Sequence, residues 1–337
     1  MKIITKVKIV TGENTLLRIL ITGIAGFAGR HLTTYLTTED NYEILGIDLN
    51  FKNFNSDNSS GKIELLEADL TNRQRIFSII KKFKPQQVYH LAAQSSVSYS
   101  WENPVETFRI NVLGGINILE GLKIFCPCCR ILMVCTAEEY GEIDSGNKAI
   151  DENFRIYPQN PYAISKSALD FFSSVYYSAY KLPVYISRSF NHIGPGQSER
   201  FVASDFARQI ALIESGSQHP VISVGNLQSQ RDFLDVRDAV KAYNYIINKG
   251  SEGQVYNVCS GKKQKISDLL DILILLSTRS DIKVKIDRSK FRAVDVKIMY
   301  GDNSKLKAQT GWTSQYSIET SLKDTLNYWR QNAGLQV

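Results

Sequence analysis

A chain of 337 residues that is 43% hydrophobic, 22% charged and 10% aromatic has the composition of a folded soluble protein, long enough for one main domain carrying a smaller lobe. Its 40 basic and 34 acidic residues leave a formal charge of +6 spread along the chain, with no block of five or six like charges. That excludes a nucleic-acid-binding arm and suits ligands that carry pyrophosphates.

Residues 1–17 alternate lysine with β-branched residues and precede the first core strand as an amino-terminal extension. They hold neither a signal peptide nor a membrane span, so a cytoplasmic location without membrane attachment is expected. Ile19–Thr22 reads as a buried strand, followed by glycines and a helix with Leu32, Tyr35 and Leu36 on one face. Strands are expected at Tyr42–Asp48, Lys62–Glu67 and Val88–Leu91. Between the last two, Thr71 is expected to cap a helix bearing Ile76, Phe77, Ile80 and Phe83 that Pro85 ends. Val105, Phe108, Val112, Ile116 and Leu119 mark one long amphipathic helix, and Ile131–Cys135 a fifth strand.

An aromatic-rich helix follows Tyr162, with Phe171, Phe172, Tyr176, Tyr177 and Tyr180 forming a stripe for the core or a subunit interface. After a strand at Val184–Phe190 the pattern loosens. Helices are expected at 201–214, 237–248, 265–276 and 317–331, and strands near 221–224 and 255–259. Strand–helix alternation of this kind points to an α/β fold with a doubly wound, Rossmann-type parallel sheet and a smaller carboxy-terminal lobe over the strand ends. The five cysteines, Cys126, Cys128, Cys129, Cys135 and Cys259, read as reduced thiols. Cys126-Pro127-Cys128-Cys129 has no histidine nearby to complete a zinc site, so no metal is expected.

Gly23-Ile24-Ala25-Gly26-Phe27-Ala28-Gly29 lies between the first strand and its helix. Gly23 makes the turn, Gly26 lets backbone approach a pyrophosphate, and Gly29 lets the helix pack closely, while the helix N-terminus offers N–H groups to phosphates. Asp48 ends the second strand 19 residues beyond Gly29, the place of a carboxylate that binds an adenine-ribose diol and repels a 2′-phosphate. NAD(H) is therefore expected, with NADP(H) as the alternative. Asp69 and Leu70 close the third strand as an adenine contact. Leu91, Ala92 and Ala93 end the fourth and leave room for the dinucleotide.

Tyr162 and Lys166 stand at i and i+4 on one helix face. A free phenol titrates near ~10, and an ammonium one turn away, together with the positive ring of the oxidised cofactor, would lower that value toward useful proton exchange. Thr136, ending the fifth strand, supplies a hydroxyl to the same substrate oxygen. Together with the glycine loop these residues resemble the extended short-chain dehydrogenase/reductase family that modifies nucleotide sugars, over about residues 18–332.

Phe190-Asn-His-Ile-Gly-Pro-Gly-Gln197, Gln230-Arg-Asp-Phe-Leu-Asp-Val-Arg-Asp238 and Val255-Tyr-Asn-Val-Cys-Ser-Gly261 look like that family's GDP-4-keto-6-deoxyhexose reductases. The resemblance implies a Thr136–Tyr162–Lys166 catalytic triad. Asn111 would support the site, and Phe190, Asn191, His192 and Ile193 would border the nicotinamide and sugar. Ser95, Val202, Arg208, Asn226 and Arg231 would meet the sugar nucleotide, with Arg231 on its pyrophosphate. Arg292 and Asp295 would contact phosphate and ribose, although Ala293 and Asp295 depart from the family's Arg-Pro-x-Glu-Val.

It also implies a dinucleotide-binding domain over 18–195, a sugar-nucleotide lobe over 196–337 with strands returning to the main sheet, and a homodimer or dimer of dimers built on helices 104–124 and 162–180. Glu138 occupies the position of the base in 4,6-dehydratases, but Ala137 stands where those enzymes carry an acid or hydroxyl. NAD(P)H-dependent reduction of a 4-keto group is thus expected, with 4,6-dehydration or C4 epimerisation as alternatives. Retention of both Tyr162 and Lys166 argues against a non-catalytic regulator.

Overall fold

The computed structural model describes residues 16–38, 42–52, 54, 63–142, 148–291 and 296–332. Most of residues 1–17, together with Arg292 and Asp295, lie outside them. The first half runs β1 (Leu17–Thr22), α1 (Phe27–Thr37), β2 (Tyr42–Asp48), β3 (Ile63–Glu67), α2 (Arg73–Phe83), β4 (Gln87–His90), α3 (Val97–Glu102), α4 (Pro104–Phe108), α5 (Gly114–Phe125), β5 (Arg130–Thr136) and α6 (Pro161–Tyr180). It continues through β6 (Val184–Ser189), β7 (Asn191–Ile193), α7 (Val202–Glu214), β8 (Val221–Val224), β9 (Gln230–Arg231), β10 (Phe233–Asp235) and α8 (Val236–Lys249). Then come β11 (Val255–Val258), β12 (Gln264–Lys265), α9 (Ile266–Leu275), β13 (Lys283–Ile286), β14 (Ile298–Met299), α10 (Ser304–Thr310) and α11 (Ile318–Gln331).

Seven strands form one parallel sheet in the order β11-β6-β5-β4-β1-β2-β3. The period-2 side-chain alternation of a strand explains why β1 is apolar at every core position. Ile19 and Ile21 face the layer containing Leu32 and Leu36 of α1 and Val240, Tyr243 and Ile246 of α8. Leu20 faces the opposite layer, with Ile76 and Ile80 of α2, Leu119 and Leu122 of α5 and Leu169 of α6. The order reverses between β1 and β4, so a crevice opens at the carboxyl ends of these two strands. A separate core, with Phe206 and Ile210 from α7, Leu269 and Leu273 from α9, and Leu322, Leu326 and Trp329 from α11, builds the smaller lobe.

Three local expectations are corrected. The helix expected from Val105 to Leu119 is interrupted: α4 passes through a π-helical turn, Arg109–Leu113, into α5. That turn holds Asn111, whose buried amide accepts from Gln94 N (2.8 Å) and donates to Ser165 Oγ (2.9 Å). Asn72, not Thr71, caps α2 by accepting from Arg75 N (3.1 Å), because Thr71 donates its hydroxyl to Asp69 Oδ1 (2.8 Å). The fourth strand sits one residue earlier than expected, since Gln87 pairs with Ile19 and Arg130. No described helix is long and apolar enough to cross a membrane.

Candidate active site

The glycine turn after β1 is set by its neighbours. Gly23 has φ +73, and a Cβ there would stand 2.7 Å from Ala92 N; a Cβ on Gly29 would stand 2.2 Å from Gly23 O. Neither position tolerates a side chain, the first for conformation and contact, the second for contact alone. Asp48, at the end of β2, fastens the loop: Oδ2 accepts from Ala25 N (3.0 Å) and Oδ1 from Leu49 N (2.8 Å). Half-burial nonetheless raises its carboxyl above the usual range, against the pull of those two N–H groups.

A cleft of about 610 Å³ runs from this turn across the strand ends. Gly23, Gly26, Phe27, Ala28 and Gly29 form one end, with Asp48, Asp69 and Leu70 beside them. Leu91, Ala92, Ala93 and Ser95 follow β4, and Thr136, Glu138, Tyr162, Lys166, Phe190, Asn191 and His192 close the other end. Asn111 lies behind the wall, tied to Gln94, rather than on it.

Thr136, the last residue of β5, caps the short 3-10 turn Ala137–Tyr140, accepting from Glu138 N at 3.3 Å. Asn160 caps α6 by accepting from Ala163 N (2.8 Å), with Pro161 as its first residue; this fixes the helix start and directs Tyr162 at β5. Tyr162 and Thr136 line the cleft together. The electrostatics of the phenol differ from expectation. Burial pushes it above its ordinary value, the Thr136 hydroxyl pulls it down, and the charges of Glu138, Glu139 and Cys135 push it up again. Lys166, itself lowered by burial, spends its ammonium on Val134 O at 2.7 Å. The lysine-induced lowering of the phenol is therefore not a property of the protein alone.

A second cavity of about 400 Å³ adjoins the first under the smaller lobe. Asn191, His192, Gln197 and Phe201 line both. Ile193, Val202, Asn226 and Arg231 line the second cavity. Arg231 is 8% exposed and donates Nη1 to Gln230 O (2.9 Å). Nearby Asp232 accepts from Ser260 and Gly261 backbone N–H groups (2.7 and 2.9 Å), and Asp235 pairs with Arg237 (2.7 Å). Arg208 lines neither cavity; its guanidinium lies 5.9 Å from the ring of Trp329.

His192 is held in the wall rather than offered to the cavity: Nε2 hydrogen-bonds with Tyr243 OH (2.8 Å), and its carbonyl accepts from Gln197 Nε2 (2.6 Å). Burial lowers its pKa to about 4, so it is neutral at physiological pH. Gln197, Tyr243, Glu199 and Lys290 are cavity residues that the sequence did not single out. Gln197 closes the Gly-Pro-Gly segment and was within reach of motif reading. Tyr243 sits mid-helix on an apolar face and looks like core.

A family model for GDP-mannose 4,6 dehydratase matches residues 20–325, most of the chain. The chain belongs to this family. Within the GDP-mannose 4,6 dehydratase family it is 32% identical over 313 residues to GDP-6-deoxy-D-mannose reductase of Pseudomonas aeruginosa, covering 93% of this chain and 97% of that one. GDP-mannose 4,6 dehydratase 2 of Arabidopsis thaliana is 29% identical, over 90% and 84% of the two chains. Among solved structures, RMD from Pseudomonas aeruginosa complexed with NADPH superposes with a TM-score of 0.82 at 31% identity, covering 94% of this chain and 99% of that one. UDP-glucose 4-epimerase from Thermotoga maritima, with UDP-glucose, gives 0.85 at 25% identity over 94% and 99%.

Proposed function

We propose that this chain reduces the 4-keto group of a GDP-linked 6-deoxyhexose with NADH or NADPH. The observation that carries the reading is that Thr136, Tyr162 and Lys166 stand together in the wall of a cleft shared with the glycine turn, with Ala137 beside them where a second acid would stand. The similarity to GDP-6-deoxy-D-mannose reductase supports the substrate class.

The cleft residues fit a dinucleotide: a turn in which Gly23 and Gly29 leave no room for a Cβ, a carboxylate at the end of β2 and small residues after β4. Gly23, Gly26 and Gly29 would hold its pyrophosphate, Asp48 the adenine ribose and Asp69 with Leu70 the adenine. The reduced nicotinamide supplies hydride when bound. The protein's own work is acid catalysis. Thr136 and Tyr162 hydrogen-bond the keto oxygen, and Tyr162 gives it the proton as the alkoxide forms. Lys166, anchored on Val134 O, holds positive charge under the phenolate left behind. Arg231 and Asn226 in the adjoining cavity would grip the diphosphate and its nucleoside, the guanidinium chelating phosphate oxygens. Arg208, on α7 and lining neither cavity, is assigned by resemblance only, as are Arg292 and Asp295.

A second reading is 4,6-dehydration, favoured by Glu138, which lines the cleft and accepts from Asn160 Nδ2 at 3.2 Å. The test uses GDP-mannose and, separately, its 4-keto-6-deoxy derivative, following NADH absorbance and product mass. NADH consumed only with the keto sugar supports reduction. Water lost from GDP-mannose without net change in NADH replaces that reading with dehydration.

A homodimer belongs to the same proposal. Phe171, Phe172, Val175 and Tyr180 on α6 and Val105 and Phe108 on α4 are exposed, a contiguous kind of apolar surface that a partner copy would cover. A cytoplasmic location is also proposed, supported by five unpaired cysteines.

A further inference from the structure

Behind the Thr136–Tyr162 pair, on the side of β5 away from the open cleft, three charged side chains are packed out of water. Glu139 is 0% exposed, Asp170 2% and Arg188 5%. Arg188 Nε donates to Asp170 Oδ2 at 2.9 Å and lies 3.6 Å from Glu139 Oε2. Its Nη1 is spent on Tyr140 OH (3.2 Å) and on the Glu152 carbonyl (3.2 Å). Glu139 Oε1 accepts from Thr136 N at 3.0 Å. The other oxygen, Oε2, is buried and accepts no hydrogen bond. Two carboxyl groups thus face one guanidinium: the oxygen without a hydrogen bond lies 3.6 Å from Arg188 Nε, which is already donated to Asp170, and the Glu139 and Asp170 carboxyls lie within 4.8 Å of each other.

Ionising both would leave Glu139, beside a guanidinium donated to Asp170 and a lysine ammonium held by Val134 O, as a buried carboxylate with Thr136 N–H as its one donor, which burial penalises. Placing a proton on Glu139 Oε2 turns the orphaned acceptor into a donor to Asp170 and leaves one carboxylate for one guanidinium. The same chemistry makes paired carboxyls share a proton. Cys135, Glu139 and Asp170 also offer ligand atoms within 4.8 Å of one another, the arrangement of a cation site, but the guanidinium of Arg188 already stands there as the cation.

We propose that Glu139 is a neutral carboxylic acid which donates its hydroxyl to Asp170 and, through the Thr136 N–H, positions the Thr136 hydroxyl against Tyr162. The groups facing it are Asp170, Lys166 and Tyr162 from α6, Arg188 from β6, Cys135 from β5 and Tyr140 from its own turn. Burial, then the Asp170 charge, push the Glu139 carboxyl well above the usual carboxylate range, against the Thr136 N–H and Arg188. Its protonation also spares the adjacent phenol a further negative charge. Glu139 touches neither cleft, so it is a positioning residue. The positioning role rests on the proposed reaction; the proton does not.

The test therefore has two arms. Infrared difference spectra of the parent against Glu139→Gln, at neutral pH, read the carbonyl stretch of a protonated carboxylic acid. The band is expected in the parent and absent from the variant. Its absence from the parent overturns the neutral Glu139, whatever the enzyme's substrate. Steady-state kinetics on the GDP-keto sugar then compare Glu139→Ala with Glu139→Gln. The alanine variant is expected to lose about tenfold or more in kcat with KM for the sugar unchanged. Glutamine, which both accepts from Thr136 N and donates to Asp170, is expected to restore most of it. If alanine keeps the parent kcat, or if glutamine fails to rescue while the protein remains folded by circular dichroism, the positioning role is wrong.

Discussion

Lys166 follows Tyr162 by one turn of α6, yet its ammonium is held by the carbonyl of Val134, 2.7 Å away on β5, two residues before the Thr136 that lines the cleft with the phenol. The helix and the strand are thereby pinned together beside the reacting groups. The phenol is kept protonated in the protein alone, the form a proton donor needs.

Tyr162→Phe should remove that proton and little else. The expected outcome is a fall of about 10²–10⁴ in kcat, with binding of the GDP sugar retained. Single-turnover kinetics alongside calorimetric titration with the nucleotide sugar check both halves. Near-parental turnover would remove Tyr162 from the mechanism.

Asp48 fastens the glycine turn with the same two oxygens that would meet the cofactor's adenine ribose in the proposed reading. Asp48→Ala should weaken binding of both NADH and NADPH, because Ala25 N and Leu49 N lose their acceptor. It should weaken NADH more, because the repulsion toward a 2′-phosphate goes with the carboxylate. The ratio of kcat/KM values for the two cofactors is the measurement, and an unchanged ratio contradicts the assignment.

The smaller lobe is tied by Glu214, at the end of α7, which accepts from Arg330 on α11 (2.7 and 2.9 Å) and from Thr278 N after α9 (2.8 Å). The Arg330 hydrogen bonds hold its carboxyl down to about 2. A depressed carboxyl contributes stability above its unfolded value near ~4.3, and loses it as pH falls toward the folded value. Glu214→Gln should therefore lower Tm at pH 7, by an amount that shrinks as pH drops from about 4.3 toward 2. Melting curves across that window decide it, and a pH-independent difference would show that the ion pair contributes nothing.

Phe171 and Val175, one turn apart on α6, are 56% and 53% exposed. Phe171→Glu should convert the proposed dimer to monomer at micromolar concentration without unfolding it. Sedimentation equilibrium checks this, and a parent chain that is already monomeric would dispose of the interface.

Sequence patterns exposed the sheet because buried parallel strands announce themselves as short β-branched runs, and the turn after β1 because glycine alone fits there. The break in the helix around Asn111 was invisible: its apolar periodicity runs straight through, and only the buried amide's partners, Gln94 and Ser165, mark where the helix changes pitch. Glu139 was equally hidden, since one of two adjacent glutamates in Ala137-Glu138-Glu139-Tyr140 looks no more buried than the other. Which of them turns inward is decided by Arg188 and Asp170, 49 and 31 residues further on. Lys290 reaches the second cavity from beyond β13, and no local spacing foretells it.

One partition separates the two cavities. Asn191, His192, Gln197 and Phe201 present a face to each, and the Gln197 side chain is latched to the His192 carbonyl. Any shift of this partition that favours an occupant on one side alters the affinity on the other, by the same factor in both directions. Where loading one chamber moves that partition, it sets the terms on which the other fills.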